Sequence, residues 1–272
     1  MHTPLAVSLA GLRRDVPDAP WSTGPRAALA WVASIGVRQV QLDAAAPGMR
    51  PRELDRSGRR DVAALLRRHE LGLTGLDLWI PGEHLSDPVH LDRAVGAIDA
   101  SIGLAADLSP LVGGGGRLVS LTLPDGVAAD VVGHIAASAD RVGVRVADHA
   151  WPARGERAGE ETTDGSVDAP ARVCSPSIGI GLDPAAVVLA GQSVAKATAR
   201  VADRLLTARL CDLSSAGRVL PGEGRLDVVA YRACLSLTPG GTPVVIDVRG
   251  LEDQDAAARR MVRAWDAAGL AS

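Results

Sequence analysis

The segment 178–212 reads IGIGLDPAAVVLAGQSVAKATARVADRLLTARLCD, and it contains one complete repeat of the pattern that decides the fold. An apolar run ends on Asp183, a stretch of helical character covers Val194–Arg204, and a second apolar run ends on Asp212. Short apolar runs that alternate with helical segments are typical of parallel strands joined by crossover helices. This segment therefore predicts an α/β fold.

The same unit recurs along almost the whole chain. Strands are predicted at Pro4–Leu12, Val37–Ala44, Leu71–Ile80, Arg117–Leu123, Val144–His149, Ile178–Asp183, Leu205–Asp212 and Pro243–Val248. Helices are predicted at Pro25–Ser34, Gly58–His69, Pro88–Ala106, Ala128–Arg141, Val194–Arg204, Leu226–Leu237 and Asp253–Ala268. Eight strand-and-helix units need about 250 residues, and the chain has 272. The sequence thus predicts a (β/α)8 TIM barrel that occupies residues 1–272 as a single domain.

One helix is missing from this pattern, between the fifth and sixth strands. Trp151–Pro176 is rich in Gly, Glu, Asp, Thr and Pro and has no apolar stripe, which indicates a long loop with an irregular or missing helix. Its acidic part, Gly155–Asp168, could cover a pocket as a lid or be a solvated loop. The alternative fold is an open doubly wound sheet, but no GxGxxG sequence follows the first strand.

Composition argues against several classes of function. The formal net charge of −3 gives no field that attracts nucleic acid. The cysteines, Cys174, Cys211 and Cys234, lack CxxC spacing, which argues against a disulfide framework or a zinc cluster and favours a reducing cytoplasm. No stretch of about 18 uncharged apolar residues is present, and no basic segment precedes an apolar run at the N-terminus. We expect a soluble cytoplasmic protein without a membrane partner.

The acids that end the apolar runs are the main candidates for a functional site, because TIM barrels build their sites at the C-terminal ends of the strands. Asp148, Asp183 and Asp247 end the fifth, sixth and eighth strands and are expected to converge at the barrel mouth. Three carboxylates in a small space repel one another and need a counter-charge. Either a divalent metal or a guanidinium such as Arg209 would supply it. The alternative for each acid is capping of the next helix.

Several other residues near the strand ends have both a functional and a structural interpretation. Asp43 and Asp77 have no partner that the sequence identifies, so capping is the favoured interpretation for them. His149 follows Asp148 directly, so their side chains are expected to point to opposite faces of the strand. His149 is a candidate for substrate or metal binding, or an ordinary pocket residue. Trp79 near the end of the third strand could stack on a sugar ring or pack at the rim.

Four strand-end motifs carry a resemblance to a known family. They are VRVADHA at 144–150, GIGLDPAA at 179–186, TARLCDL at 207–213 and VVIDVRG at 244–250. After the seventh strand, Asp212 is followed by Arg218 and by a Pro-Gly-Glu-Gly turn at 221–224, which a tight turn in another fold could also produce. In this order the motifs resemble the sugar phosphate isomerase/epimerase family, whose members share a xylose-isomerase-like barrel. The resemblance covers nearly the whole chain.

The resemblance implies a divalent metal, with Mn²⁺, Mg²⁺, Zn²⁺ and Co²⁺ as candidates. The family's metal ligands match Asp148, Asp183, Arg209 and Asp247 of this sequence. Both glutamates of the family pattern are aspartates here, its histidine is Arg209, and the histidine that often follows the sixth strand is Ala186. A protonated guanidinium cannot be a metal ligand. The metal site therefore differs from the family pattern in most of its ligands.

Other residues near these motifs offer replacements for the altered ligands. His149, Asp212 and Glu223 are candidate replacement ligands. Arg209 or Arg218 could instead bind an anionic group of a substrate or supply the electrophile. The resemblance is also compatible with a homodimer.

The sequence is compatible with two functions. The first is a sugar or sugar phosphate isomerase or epimerase that transfers a proton next to a carbonyl, with Asp148 and Asp247 as the acid/base pair. It predicts that Asp148→Asn and Asp247→Asn each abolish turnover. The second is a barrel that binds a carbohydrate-like ligand or a partner without turnover, in which Arg209 pairs internally with Asp183 and Asp247. Endonuclease action is disfavoured by the charge.

Overall fold

The computed structural model describes residues 4–154 and 175–270. Its strands are β1 (Leu5–Ser8), β2 (Gln39–Asp43), β3 (Gly72–Asp77), β4 (Leu118–Leu121), β5 (Arg145–Asp148), β6 (Ile178–Leu182), β7 (Leu205–Leu210), β8 (Asp212–Ser214), β9 (Gly217–Val219) and β10 (Val244–Ile246). All except β8 and β9 pair in parallel and close into a barrel, in the order β1-β10-β7-β6-β5-β4-β3-β2. The predicted (β/α)8 barrel is confirmed.

Helices follow the barrel strands. They are α1 (Pro25–Ser34), α2 (Arg56–Arg68), α3 (Pro88–Leu108), α4 (Ala129–Val142), α5 (Pro184–Leu189), α6 (Val194–Val201), α7 (Val228–Ser236) and α8 (Gln254–Leu270). The sequence pattern missed α5, because a helix of six residues is too short to show a helical period. Between β5 and β6, the described residues 149–154 and 175–177 contain no helix. Most of the predicted loop Trp151–Pro176, including the whole of its acidic part Gly155–Asp168, lies outside the described residues.

Short polar side chains fix where several helices begin. Asp87 accepts a hydrogen bond from Val89 N at α3, Ser193 from Lys196 N at α6, and Asp227 from Ala230 N at α7. Asp183 caps α5 in the same way, because its Oδ1 accepts from Ala185 N. One oxygen of Asp183 thus caps a helix, as the capping interpretation expects. The other oxygen, Oδ2, faces the barrel mouth.

An antiparallel hairpin follows β7, in a place where the sequence pattern predicts only a turn. It consists of β8 and β9, and Leu213 is paired with Arg218. The hairpin begins at the C-terminal end of a barrel strand, so it rises from the mouth of the barrel. This position allows Arg218 to reach back toward the strand ends.

The region of α3 is the longest helical stretch of the described chain, and it is mainly apolar. Residues Pro88–Val112 are long and apolar enough to cross a membrane by length and composition, and 39% of the most apolar window is buried inside the fold. The core helix of a globular protein passes the same test, and Ile98, Ile102 and Leu108 of this helix are buried in the hydrophobic core. The absence of a membrane partner stays a prediction.

Candidate active site

Six charged side chains meet at the C-terminal ends of the barrel strands, and we call them the ion-pair cluster. The carboxylates are at most 7% exposed. Three acids and three bases balance the formal charge of the cluster. Its members are Asp77 at the end of β3, Asp183 after β6, Arg209 in β7, Arg218 in β9, and Asp247 and Arg249 after β10.

Arg209 lies at the centre of the ion-pair cluster. Its Nη1 donates to Asp183 Oδ2 at 3.0 Å, and its Nη2 donates to Asp77 Oδ2 at 3.4 Å. Its Nε lies 3.5 Å from Asp247 Oδ2. One planar guanidinium therefore contacts carboxylates that follow three different strands, which is an arrangement that the fork geometry of arginine favours.

Arg218 and Arg249 complete the cluster. Arg218 donates to Asp247 Oδ2 and to Asp183 Oδ2, both at 3.0 Å. Arg249 donates from Nη2 to Asp77 Oδ2 and from Nε to Asp247 Oδ1, both at 2.9 Å. Every carboxylate of the cluster is therefore paired with at least two arginines.

The surrounding chain holds these arginines in place. Tyr231 of α7 is fully buried, and its hydroxyl donates to the backbone oxygen of Arg209 at 2.9 Å. Gly11 after β1 has a φ of +76°, and a Cβ at this position would overlap Cγ of Arg249. Glycine at position 11 thus provides both the left-handed backbone and the space that Arg249 needs.

The arginines of the cluster keep Asp183 and Asp247 ionised in spite of their burial. Burial alone would raise the pKa of Asp183, but Arg209 and Arg218 outweigh it and lower the pKa to about 2. Burial likewise opposes ionisation of Asp247, yet the three arginines, led by Arg249, hold the pKa of Asp247 far below its usual range. These two carboxylates are therefore poor proton donors near neutral pH.

Replacement of Asp183 by asparagine tests this ionisation through the pH dependence of stability. The pKa of Asp183 is lower in the folded chain than its ordinary value of 3.8. Its contribution to stability is therefore present above that value and is lost as the pH falls toward about 2. We expect the free-energy gap between wild type and Asp183→Asn, measured by urea unfolding, to shrink by about 2 kcal/mol between about pH 6 and about pH 2. A gap that does not change over this range would contradict the assignment.

His149 lies beside the cluster as a buried imidazole. Its ring packs against Gly181, where a Cβ would come within 2.5 Å of Nε2. Burial and the Arg209 charge hold the pKa of His149 well below its usual range, so the ring is neutral at neutral pH. Within the described part of the chain, neither ring nitrogen has a hydrogen-bond partner. An unpaired buried polar group costs about 1–3 kcal/mol, and contact with a ligand would remove this cost.

Asp148 does not join Asp183 and Asp247, contrary to the expected convergence. Its Oδ1 accepts from Leu123 N and Ala150 N, both at 3.0 Å, and its Oδ2 accepts from Arg154 Nε at 3.1 Å. Burial raises the pKa of Asp148 in spite of these donors. Because Asp148 and His149 are adjacent in sequence, they take opposite faces, and it is His149 that faces the cluster.

Asp212 organises the turn that carries the Pro-Gly-Glu-Gly motif. Its fully buried carboxylate accepts hydrogen bonds from the backbone nitrogens of Leu213, Gly222, Gly224, Arg225 and Leu226, at 2.7–3.0 Å. A Cβ at Gly224 would come within 2.6 Å of Asp212 Oδ1, so glycine is needed there. Both oxygens are thus occupied by the turn, and Asp212 is a structural residue rather than the suggested metal ligand. Glu223 pairs instead with Arg260 on the surface.

Neither Asp43 nor Asp77 caps a helix as expected. Asp43 Oδ1 accepts from Ala45 N at 2.8 Å within a turn, and no helix begins there. Asp77 binds Arg209, Arg249 and the Ser8 hydroxyl, so it belongs to the ion-pair cluster. Both missed members of the cluster had a signal in the sequence, because Asp77 interrupts the apolar run LDLWI and Arg249 follows Asp247 by two residues.

A cavity of about 220 Å³ opens next to the cluster. Asp77, Arg209 and Arg249 form its charged wall, and its other lining residues, which include Trp79, are mainly apolar. Trp79 is 64% exposed, which leaves its ring available to a ligand. Ligand pockets for drug-sized molecules measure about 300–1,000 Å³, so this cavity suits a smaller molecule.

The residues at the strand ends do not fit a divalent metal. The cluster carboxylates are engaged by guanidinium groups at 2.9–3.5 Å, and Arg209 lies where a cation would have to bind. Within residues 4–154 and 175–270, no three His, Cys, Asp or Glu side chains are grouped so that they could hold a metal ion. Protonated arginines cannot replace them as ligands.

Comparisons with known proteins identify the fold. No family model matches the chain, and no curated protein matches it either. Solved structures do match over nearly the whole chain. An L-ribulose 3-epimerase has 16% identity and a TM-score of 0.69, with 98% of this chain and 96% of that chain covered. A D-psicose 3-epimerase crystallised with D-fructose has 12% identity and a TM-score of 0.67, with 96% and 97% covered.

A xylose isomerase domain protein from Planctomyces limnophilus gives a similar match, with 18% identity, a TM-score of 0.66 and 96% of each chain covered. At these identities the likeness establishes the fold alone. The barrel is therefore of the xylose-isomerase-like kind, and its neighbours in fold include sugar epimerases.

Proposed function

We propose that this protein is an isomerase or epimerase of a small carbohydrate, and that the substrate binds in the cavity beside the ion-pair cluster. The observation that carries the proposal is the wall formed by Asp77, Arg209 and Arg249. It places a carboxylate and two guanidinium groups around one small space at the catalytic end of the barrel. The fold neighbours support the substrate class, because their names include ribulose, psicose and fructose.

Asp77 is the proposed base. Its Oδ2 accepts from Ser8, Arg209 and Arg249, at 3.3, 3.4 and 2.9 Å. With these donors on one oxygen, we assign the other oxygen, Oδ1, to the substrate. A carboxylate in a small and partly apolar cavity can remove the proton from the carbon next to a carbonyl.

Arg209 and Arg249 are the proposed electrophiles. Removal of a proton next to a carbonyl moves negative charge onto the carbonyl oxygen, and fixed cations at this oxygen stabilise the resulting enediolate. Both guanidinium groups line the cavity and are already oriented by their carboxylate partners. They therefore need little rearrangement when charge develops on the substrate.

This proposal changes the roles that the family resemblance implies for Asp148 and Asp247. Asp148 forms an ion pair with Arg154. Neither Asp148 nor Asp247 lines the described cavity. Asp247 accepts from Arg218 and Arg249 and serves as an internal counter-ion that orients them. In an isomerisation, protonated Asp77 can return its proton to the former carbonyl carbon, while the proton of the neighbouring hydroxyl passes to the former carbonyl oxygen, so that both proton transfers balance.

Trp79 is the proposed substrate-binding residue of the cavity, whereas His149 does not line this cavity and its contact with a substrate stays a prediction from the sequence. The exposed ring of Trp79 can stack on the apolar face of a sugar. His149 offers ring nitrogens that lack partners within the described residues. In its neutral form one nitrogen donates and the other accepts, which suits a hydroxyl group.

The test is deuterium exchange at the carbon next to the carbonyl, followed by NMR while ketoses and aldoses are offered in D₂O. We expect exchange with at least one sugar, and a loss of about 10²-fold or more in Asp77→Asn. The matched control is Asp43→Asn, because Asp43 pairs in register with Asp77 on the neighbouring strand. Full activity in Asp77→Asn, or loss in Asp148→Asn alone, would contradict the assignment of the base.

A second candidate function is ligand binding without turnover. It is favoured by the ion pairs within the cluster, because each of the three arginines is already paired with a carboxylate of the protein. Saturable sugar binding by calorimetry together with no exchange in any sugar would support this second function. Binding with exchange supports the enzyme.

A further inference from the structure

We infer that the Arg209 guanidinium is the resident cation of the barrel mouth, in the place that the family resemblance assigns to a divalent metal, so that the site is complete without a metal ion. This inference concerns how the site is built. It does not depend on whether the protein turns over a sugar.

The position of Arg209 is the first argument. Its three nitrogens lie 3.0–3.5 Å from Asp183, Asp77 and Asp247. These carboxylates follow β6, β3 and β10, so the guanidinium joins acids from separate parts of the barrel. A divalent ion with hard oxygen ligands would have to take the same central position. Arginine and metal therefore exclude each other there.

Charge balance is the second argument. The carboxylates of Asp77, Asp183 and Asp247 carry three negative charges, and the three arginines of the cluster neutralise them. A divalent cation would leave an excess of two positive charges in a buried site, where unpaired charge is costly. Metal binding would therefore require displacement of the arginines.

The surrounding contacts also prevent the cluster from rearranging easily around a metal ion. The backbone of Arg209 is held by Tyr231, and the side chain of Arg249 occupies the space above Gly11. Asp183 Oδ1 is also engaged, because it accepts from Ala185 N and from the Cys211 thiol at 3.1 Å.

The experiment measures metal content directly. Protein purified without chelator or affinity metal is dialysed against Mn²⁺, Mg²⁺, Zn²⁺ and Co²⁺ in turn, and metal is counted by mass spectrometry. We expect no metal above the buffer blank and no shift of the thermal unfolding midpoint with any of the four ions. An ion that binds only the folded chain must raise this midpoint, so a clear rise that wild type and Asp266→Asn show and Asp183→Asn lacks would overturn the inference.

Two variants locate any metal that is retained. Asp183→Asn removes a charge from the cluster, and Asp266→Asn removes an exposed acid of α8. One metal per chain that is lost in Asp183→Asn and kept in Asp266→Asn would overturn the inference. Metal held equally by both variants lies outside the cluster and agrees with it. None of these readouts requires turnover, so a failed search for sugar exchange leaves the inference testable.

Discussion

Arg209→Met is expected to lower the free energy of unfolding by about 3–5 kcal/mol, because removal of one partner from a buried ion-pair network leaves uncompensated charge. Methionine has a similar volume but cannot neutralise Asp77, Asp183 and Asp247. Their mutual repulsion then opposes folding, and Arg218 and Arg249 must hold three carboxylates between them. Urea unfolding followed by circular dichroism measures the loss.

Matched arginine variants separate this effect from the general loss of a surface charge. Arg260→Met breaks a solvent-exposed pair with Glu223 and is expected to cost less than about 1 kcal/mol. Arg209→Lys keeps the charge but loses the planar fork, so an intermediate loss is expected. A loss in Arg209→Met no greater than in Arg260→Met would show that Arg209 does not neutralise the cluster.

Asp212→Asn is expected to cause a loss of similar size, about 3–5 kcal/mol, because hydrogen bonds to charged groups contribute about 1.5–3 kcal/mol each. The carboxylate accepts five backbone N–H groups around the turn. An asparagine amide offers one acceptor oxygen and turns two donors toward N–H groups that need acceptors. The free energy of unfolding measures the overall loss, and hydrogen exchange of residues 220–226 locates it.

Asp227→Asn provides the control, since Asp227 lies next to the same turn but accepts only from Ala230 N at the start of α7. Asparagine is nearly as good a helix cap as aspartate, so little change is expected. Faster hydrogen exchange around 220–226 only in Asp212→Asn would assign the turn to its carboxylate. Equal effects of the two variants would contradict this role.

The Asp212 turn shows how far a local motif can be understood from sequence. The spacing of Asp212 from the Pro-Gly-Glu-Gly turn was visible in the sequence, and it was the strongest part of the family resemblance. The turn depends on local contacts, because the Asp212 carboxylate binds backbone N–H groups that lie near it in the sequence. The chemical role differed from the suggested one, since the turn itself takes up both oxygens of the acid.

Asp148 and Asp77 show where the sequence was insufficient. Both are acids at the end of an apolar strand, and nothing local distinguishes the one that joins the cluster. The side chain that faces the mouth depends on strand register. At the end of β5 it is His149, the residue after the strand, and not Asp148. On β3 it is Asp77, whose register with Asp43 follows a shift between Val40 and Gln41.

The sequence by itself determined the barrel, most of its helices and the strand ends at which charged residues would collect, because strand and helix periods and turn residues are local properties of the chain. Only the tertiary structure decided which charges pair. Arg209 and Asp183 are 26 residues apart, and Arg249 and Asp77 are 172 residues apart. Such pairs form because closure of the barrel brings distant strand ends together, and no local pattern encodes the distance between them.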